Sequence, residues 1–76
     1  MATLLYQDYL IVASSHRIET TDKWGIWVGV YWGCNGQRLY QVFNRLPDTF
    51  DTKVAAEEFG LQLGRKWIEN PKARNL

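Results

Sequence analysis

The chain has 76 residues, 46% hydrophobic and 22% charged, which gives room for one hydrophobic core and no more. Nine Lys and Arg against eight Asp and Glu leave a net charge of +1, far from the basic excess of a dedicated duplex-DNA binder. One cysteine and one histidine exclude an internal disulfide and a zinc site of ordinary ligand spacing, so of the staples that small domains use, self-association is the one left.

The opening residues, MATLLYQDYL, lack a positive leader and a long apolar run, so no signal peptide is expected. No stretch approaches the ~18 apolar residues of a membrane span. With the lone Cys34, these features point to a cytoplasmic protein.

A first strand is expected over about residues 8–16, DYLIVASSH, ahead of the polar stretch RIETTDK. Its apolar run from Leu10 to Ala13 is continuous, which suggests a strand covered on both sides. Two further strands, about 24–33 and 37–45, flank Asn35-Gly36. An Asn-Gly pair between apolar runs signals a hairpin, because a type I′ turn needs positive φ at both central residues. Counting outward from that turn sets Tyr31 opposite Tyr40, Trp32 opposite Leu39, Val28 opposite Phe43 and Trp27 opposite Asn44.

Alternation then sorts the side chains. Trp24, Ile26, Val28, Val30, Trp32, Leu39 and Phe43 share one face, with Gln41 and Arg45 interrupting it. Trp27, Tyr31, Arg38, Tyr40, Val42 and Asn44 share the other with Gly25 and Gly29. The first is nearly all apolar and is the expected core face.

Pro47 and Asp48 break the third strand, and a helix is expected over about 52–69. Asp51 or Thr52 caps it; an Asp51 cap would set Phe50 against Ala55 as a hydrophobic staple. Pro71 stops it. Glu58, Gln62, Arg65, Lys66 and Glu69 form the polar face. Gly60 and Gly64 each cost ~1 kcal/mol relative to Ala inside a helix. With Ala56 they make a small-residue ridge at i, i+4 spacing, which lets the helix backbone lie close to the sheet. The apolar arc is wider than the ~100° stripe of an ordinary surface helix. A flank at Leu61 and Ile68, or at Phe59, is therefore a candidate for a further contact.

The expected fold is α+β: an antiparallel three-stranded meander, order 1-2-3, in a single domain spanning 1–76, with one C-terminal α-helix packed across one face. The expected core is Ile26, Val28, Val30, Trp32, Leu39, Phe43, Phe59, Leu63 and Trp67.

No residues assemble into a catalytic pattern. Ser14, Ser15 and His16 are adjacent, but neighbours on a strand point to opposite faces and no acid completes them. Glu57 and Glu58 read as a solvated first helical turn, and Cys34 as an incidental turn residue with no assured cationic neighbour. WGCNG lacks the lysine and following helix of a phosphate loop. The expectation is a protein that is not an enzyme and needs no metal or cofactor.

The outer face is the better candidate. Trp27, Tyr31 and Tyr40 with Val42 make a patch on the order of 300–400 Å², about the size that monomers seldom leave open. Three covers are open at this point. The chain's own termini fold over it, with Leu4, Leu5 and Tyr6 at one end. A second copy packs on it or on the helix flank, giving a homodimer. Or a nucleic acid stacks its bases on Trp27, Tyr31 and Tyr40 beside Arg38 and Asn44, with Arg17, Lys23, Lys72 and Arg74 within reach of phosphates.

The strand KWGIWVGV, the helix start Phe50, Asp51, Thr52 and the helix end Gly64, Arg65, Trp67, Ile68, Glu69 resemble a group of short bacterial proteins of unknown function. Those combine a tryptophan-containing strand, an F-D-T and E-E-A-like helix start and a G-R-x-W-I helix end followed by an acid. The likeness runs over roughly residues 6–70 and implies no activity. The outline is also similar, in topology, to the three-strand, one-helix DNA-binding domains of the plant AP2 type and of phage-integrase arms. Those domains read the major groove with basic strand residues, whereas here the outer positions are aromatic or glycine, Arg38 excepted.

Overall fold

A computed structural model describes residues 1–44 and 46–70. The fold is α+β, an antiparallel sheet with one C-terminal helix, but the sheet has four strands where the sequence suggests three. In chain order these are β1 (Ala2–Tyr6), β2 (Tyr9–Arg17), β3 (Trp24–Cys34), β4 (Gln37–Phe43) and α1 (Lys53–Glu69), and the sheet order is β1-β2-β3-β4.

The added strand follows from a turn with no glycine. Gln7 and Asp8 both take positive φ, 49° and 68°, and Tyr6 pairs with Tyr9 across them. This is the two-residue hairpin geometry that Asn-Gly normally marks. Leu4, Leu5 and Tyr6 therefore widen the sheet sideways instead of folding over its outer face. The run Leu10 to Ala13 is not covered on both sides either. It alternates, with Ile11 and Ala13 buried, Val12 half-buried and Leu10 exposed.

The second hairpin forms as the sequence indicates. Asn35 and Gly36 have φ of 52° and 80°, and β3 pairs with β4 as Val28–Phe43, Tyr31–Tyr40 and Trp32–Leu39. β4 ends at Phe43, so Asn44 lies beyond the ladder and makes no strand pair with Trp27. Phe50 takes up the free start of β3 instead: Trp24 N donates to Phe50 O at 2.8 Å and Phe50 N to Trp24 O at 3.0 Å.

Thr52, not Asp51, caps the helix, its Oγ1 accepting from the Ala55 N–H at 3.1 Å. Asp51 turns instead to the Lys23 ammonium. At the other end the Asn70 N–H bonds the Trp67 carbonyl; Pro71, Lys72 and Arg74 lie outside the described residues, as does Arg45.

The small-residue ridge is where the helix meets the sheet. Ala56, Gly60, Gly64 and Ile68 are the buried helix positions. A Cβ on Gly60 would lie 2.8 Å from the Ala13 Cβ, and one on Gly64 2.6 Å from the Ile11 Cγ2. Neither distance is tolerated between real carbons, so both glycines are fixed by packing. The buried core is Ile11, Ala13, Ile26, Val28, Val30, Ala56 and Ile68, ringed by half-buried Trp32, Phe43, Phe59, Leu61, Leu63 and Trp67.

Two expectations fail here. Ile68 is not a free flank but a core residue, 2% exposed. Leu39 is not core but 37% exposed. Both have one cause: the added strand shifts the helix axis towards β1. α1 packs on β2 and β3 and reaches β1, and it makes no close approach to β4. Trp32, Trp67 and Phe43 fill part of the space that remains, with ring centroids 5.4 Å apart for Trp32–Trp67 and 6.2 Å for Phe43–Trp67.

Candidate functional site

The face of the sheet opposite α1 has no element of this chain over it among the described residues. Its side chains lie in transverse rows fixed by the ladder. Leu5 pairs with Leu10, Leu10 with Tyr31, and Tyr31 with Tyr40, so one apolar row crosses all four strands. These residues are 75%, 41%, 36% and 68% exposed. The neighbouring row is Thr3, Val12, Gly29, Val42, and beyond it Ser14 pairs with Trp27.

Glycine shapes this surface. A Cβ on Gly29 would lie 2.8 Å from the Tyr31 hydroxyl oxygen and 2.9 Å from Trp27 Cη2. The two rings thus lean toward each other along β3 and close over the glycine. Gly25 plays the same part for His16, whose Nε2 sits 2.5 Å from where its Cβ would be. Three rings therefore lie low on the sheet, and Trp27 and Gly29 are largely shielded by the chain itself. The Tyr31 and Tyr40 rings are 6.3 Å apart and tilted by 32°. Near the hairpin end the surface dips into an open depression of about 500 Å³, with Leu5, Leu10, Tyr31 and Tyr40 in its lining and Asp8 and Arg38 beside them.

The expected outer residues Trp27, Tyr31, Arg38, Tyr40 and Val42 all belong to this face. Asn44 is exposed but outside the strand. Leu5, Leu10 and Val12 join the face, and sequence reasoning missed them. Leu10 and Val12 sat within an apolar run read as buried, and Leu5 within a segment without a strand signal. Of the candidate helix flank, Leu61 is half-buried against the core and Ile68 fully buried.

Charge is sparse on the outer face. Arg38 and His16 are its basic residues, with Asp8 at its margin. Other cations have partners elsewhere: Arg17 with Asp22 at 3.1 Å, Lys23 with Asp51, and Arg65 with Glu69 at 3.9 Å. On the helix side the Tyr6 hydroxyl donates to Glu69, and the Arg65 guanidinium sits 5.1 Å from the Tyr6 ring centroid. That carboxylate acceptor raises the Tyr6 pKa above its usual 10.0, and burial adds to the effect. Glu57 accepts from the Ser15 hydroxyl at 2.9 Å and pairs with the Met1 ammonium at 3.1 Å. These partners, in that order, hold its carboxyl below the usual 4.5. The Lys23 ammonium does the same for Asp51.

Ser15 is thus occupied by Glu57, while Ser14 and His16 point to the opposite face. Cys34 is exposed beside the hairpin turn. Among the described residues no three His, Cys, Asp or Glu side chains gather where a metal could sit, and no helix is long and apolar enough to cross a membrane. Comparison of the chain with protein-family models, curated proteins and solved structures returned no match.

Proposed function

We propose that the chain is a small, non-enzymatic interaction module of the cytoplasm whose open sheet face binds a second copy of itself. The observation that carries this reading is the row Leu5–Leu10–Tyr31–Tyr40, four side chains in consecutive cross-strand register with no element over them among the described residues. Size supports it. Four strands ~4.8 Å apart, followed for about nine residues at ~3.3 Å each, have a flat footprint on the order of 500 Å². Side-chain relief brings that near the ~800 Å² per partner of a standard interface. Burying ~400 Å² of apolar area per copy amounts to about 20 kcal/mol gross, against an association cost of about 4–15 kcal/mol. Rings that lie low over Gly25 and Gly29 let that part of the face approach a second sheet stacked ~10 Å away.

A second reading, a single-stranded nucleic acid stacked on the tyrosines, is favoured by one observation: the tilted Tyr31–Tyr40 pair beside an exposed Arg38. It is the weaker because phosphate contacts usually dominate such affinity, and among the described residues Arg38 is the one permanent cation on the face.

Sedimentation of the wild type and of Leu10→Glu at micromolar concentration tests the first reading. The wild type is expected to associate, and L10E to lose the association across that face while keeping its circular dichroism. A monomeric wild type, or an unchanged mass in L10E, sinks it. Quenching of tryptophan fluorescence by single-stranded oligonucleotides at low salt, lost in Tyr40→Ala, would favour the second.

A further inference from the structure

β4 is an edge strand, and it carries few of the usual devices that keep an edge from pairing with another chain. Its seven residues carry one charge, Arg38, and no lysine or proline. Its register with β3 runs from Gln37 to Phe43 without a bulge. The α1 backbone approaches β1, β2 and β3 but not β4, which it meets through Trp67 against Phe43 near the end of the strand.

Ladder bonds alternate along an antiparallel pair. The Asn35-Gly36 turn closes on the Cys34–Gln37 pair, so residues 37, 39, 41 and 43 bond to β3. Arg38, Tyr40 and Val42 then turn their N–H and C=O groups outward, and the Val42 carbonyl already accepts from the Gln41 side-chain amide at 3.3 Å, with its second lone pair left for a partner strand.

We infer that this edge is a second self-association site, on which two copies pair β4 to β4, antiparallel, about a two-fold axis through Tyr40. The inference takes from the reading above only the identity of the partner; the surface is a different one. In this register Tyr40 meets its own copy and Arg38 meets the partner's Val42, so every outward-facing group of both strands is used, in about six hydrogen bonds. A dyad at residue 39 or 41 would leave one outward residue of each strand facing a turn or the strand end. Charge agrees: the two Arg38 side chains lie ~14 Å apart along the strands, beyond the Debye length at physiological salt. The other edge, β1, has five residues. The same count from its Gln7-Asp8 turn leaves Thr3 and Leu5 outward, about four hydrogen bonds for a self-pair.

A charge swap tests the register. The background is L10E, which removes the face and leaves the edge. There the chain is expected to dimerise at high micromolar concentration. The amides of Arg38, Tyr40 and Val42 are expected to exchange more slowly as concentration rises. Adding Val42→Arg sets two arginines opposite each other and weakens the dimer about tenfold or more. Adding Arg38→Glu to that variant restores it, because position 38 faces position 42 only across this dyad. L10E remaining monomeric up to millimolar concentration overturns the inference, as does a V42R without effect or a double charge variant without rescue. In the wild type, concentration-dependent protection at Thr3 and Leu5 instead of β4 overturns it too. The face reading fails separately, when L10E and wild type have the same mass.

Discussion

Gly60 shows how packing can reverse a propensity. In an exposed helix, replacing Gly by Ala gains ~1 kcal/mol. Here the new methyl would lie 2.8 Å from the Ala13 Cβ and 3.0 Å from a Val28 methyl, and overpacking a tight core costs about 1–3 kcal/mol. Gly60→Ala is therefore expected to destabilise by up to about 2 kcal/mol, read as a lower urea midpoint at unchanged slope. Glu57 supplies a pH-dependent contribution. Its folded pKa is depressed, first by the Ser15 hydroxyl and then by the Met1 ammonium. The stability it adds is fully present above its usual 4.5 and is lost as the pH falls through the folded value. Glu57→Gln should flatten the acid limb of a stability–pH profile, leaving the part due to Asp51. Tyr6 acts at the opposite end: its raised pKa stabilises below 10.0 and ceases to as the pH rises through the folded value.

The two hairpins have the same turn geometry but differ in how visibly the residues announce it. Asn35-Gly36 fits a turn with two positive φ angles, and the register of β3 on β4 can be counted from it. Gln7-Asp8 reaches the same geometry with residues that suit it less, so β1 left no signal in the sequence. Bringing the first turn to the chemistry of the second is expected to help. Gln7→Asn with Asp8→Gly should stabilise by about 0.5–1 kcal/mol. That is a rise of about 2–8 °C in melting temperature for a domain of this size, measured by thermal unfolding at a fixed concentration. The helix was legible from its ridge, its cap candidates and the proline beyond it. Its placement was not, because the position of the axis depends on how many strands lie beneath it.

A chain this short buries only about 60% of the surface its unfolded form exposes, so its own core leaves a thin margin. Association that protects the outer face or the β4 edge adds stability by mass action. The apparent melting temperature should therefore rise with protein concentration in the wild type, and less steeply in L10E; a concentration-independent value would mean that neither surface is in use. The sheet supplies both surfaces. One side is closed by α1, the other carries the Leu5–Tyr40 row, and β4 lies outside the helix footprint.

Sequence alone determined the features that depend on residues near one another in the chain. These are the Asn35-Gly36 turn, the faces of β3 and β4 counted from it, the extent of the helix and the small-residue ridge by which it packs. All of them follow from period and local backbone preference. Tertiary structure decided the fourth strand, the burial of Ile68, the exposure of Leu39 and the continuation of the aromatic patch through Leu10 to Leu5. Each of these depends on which segments lie side by side. Residues 2–6 join the sheet because pairing with β2 satisfies their backbone groups, and no pattern within those five residues states that their partner is residues 9–13.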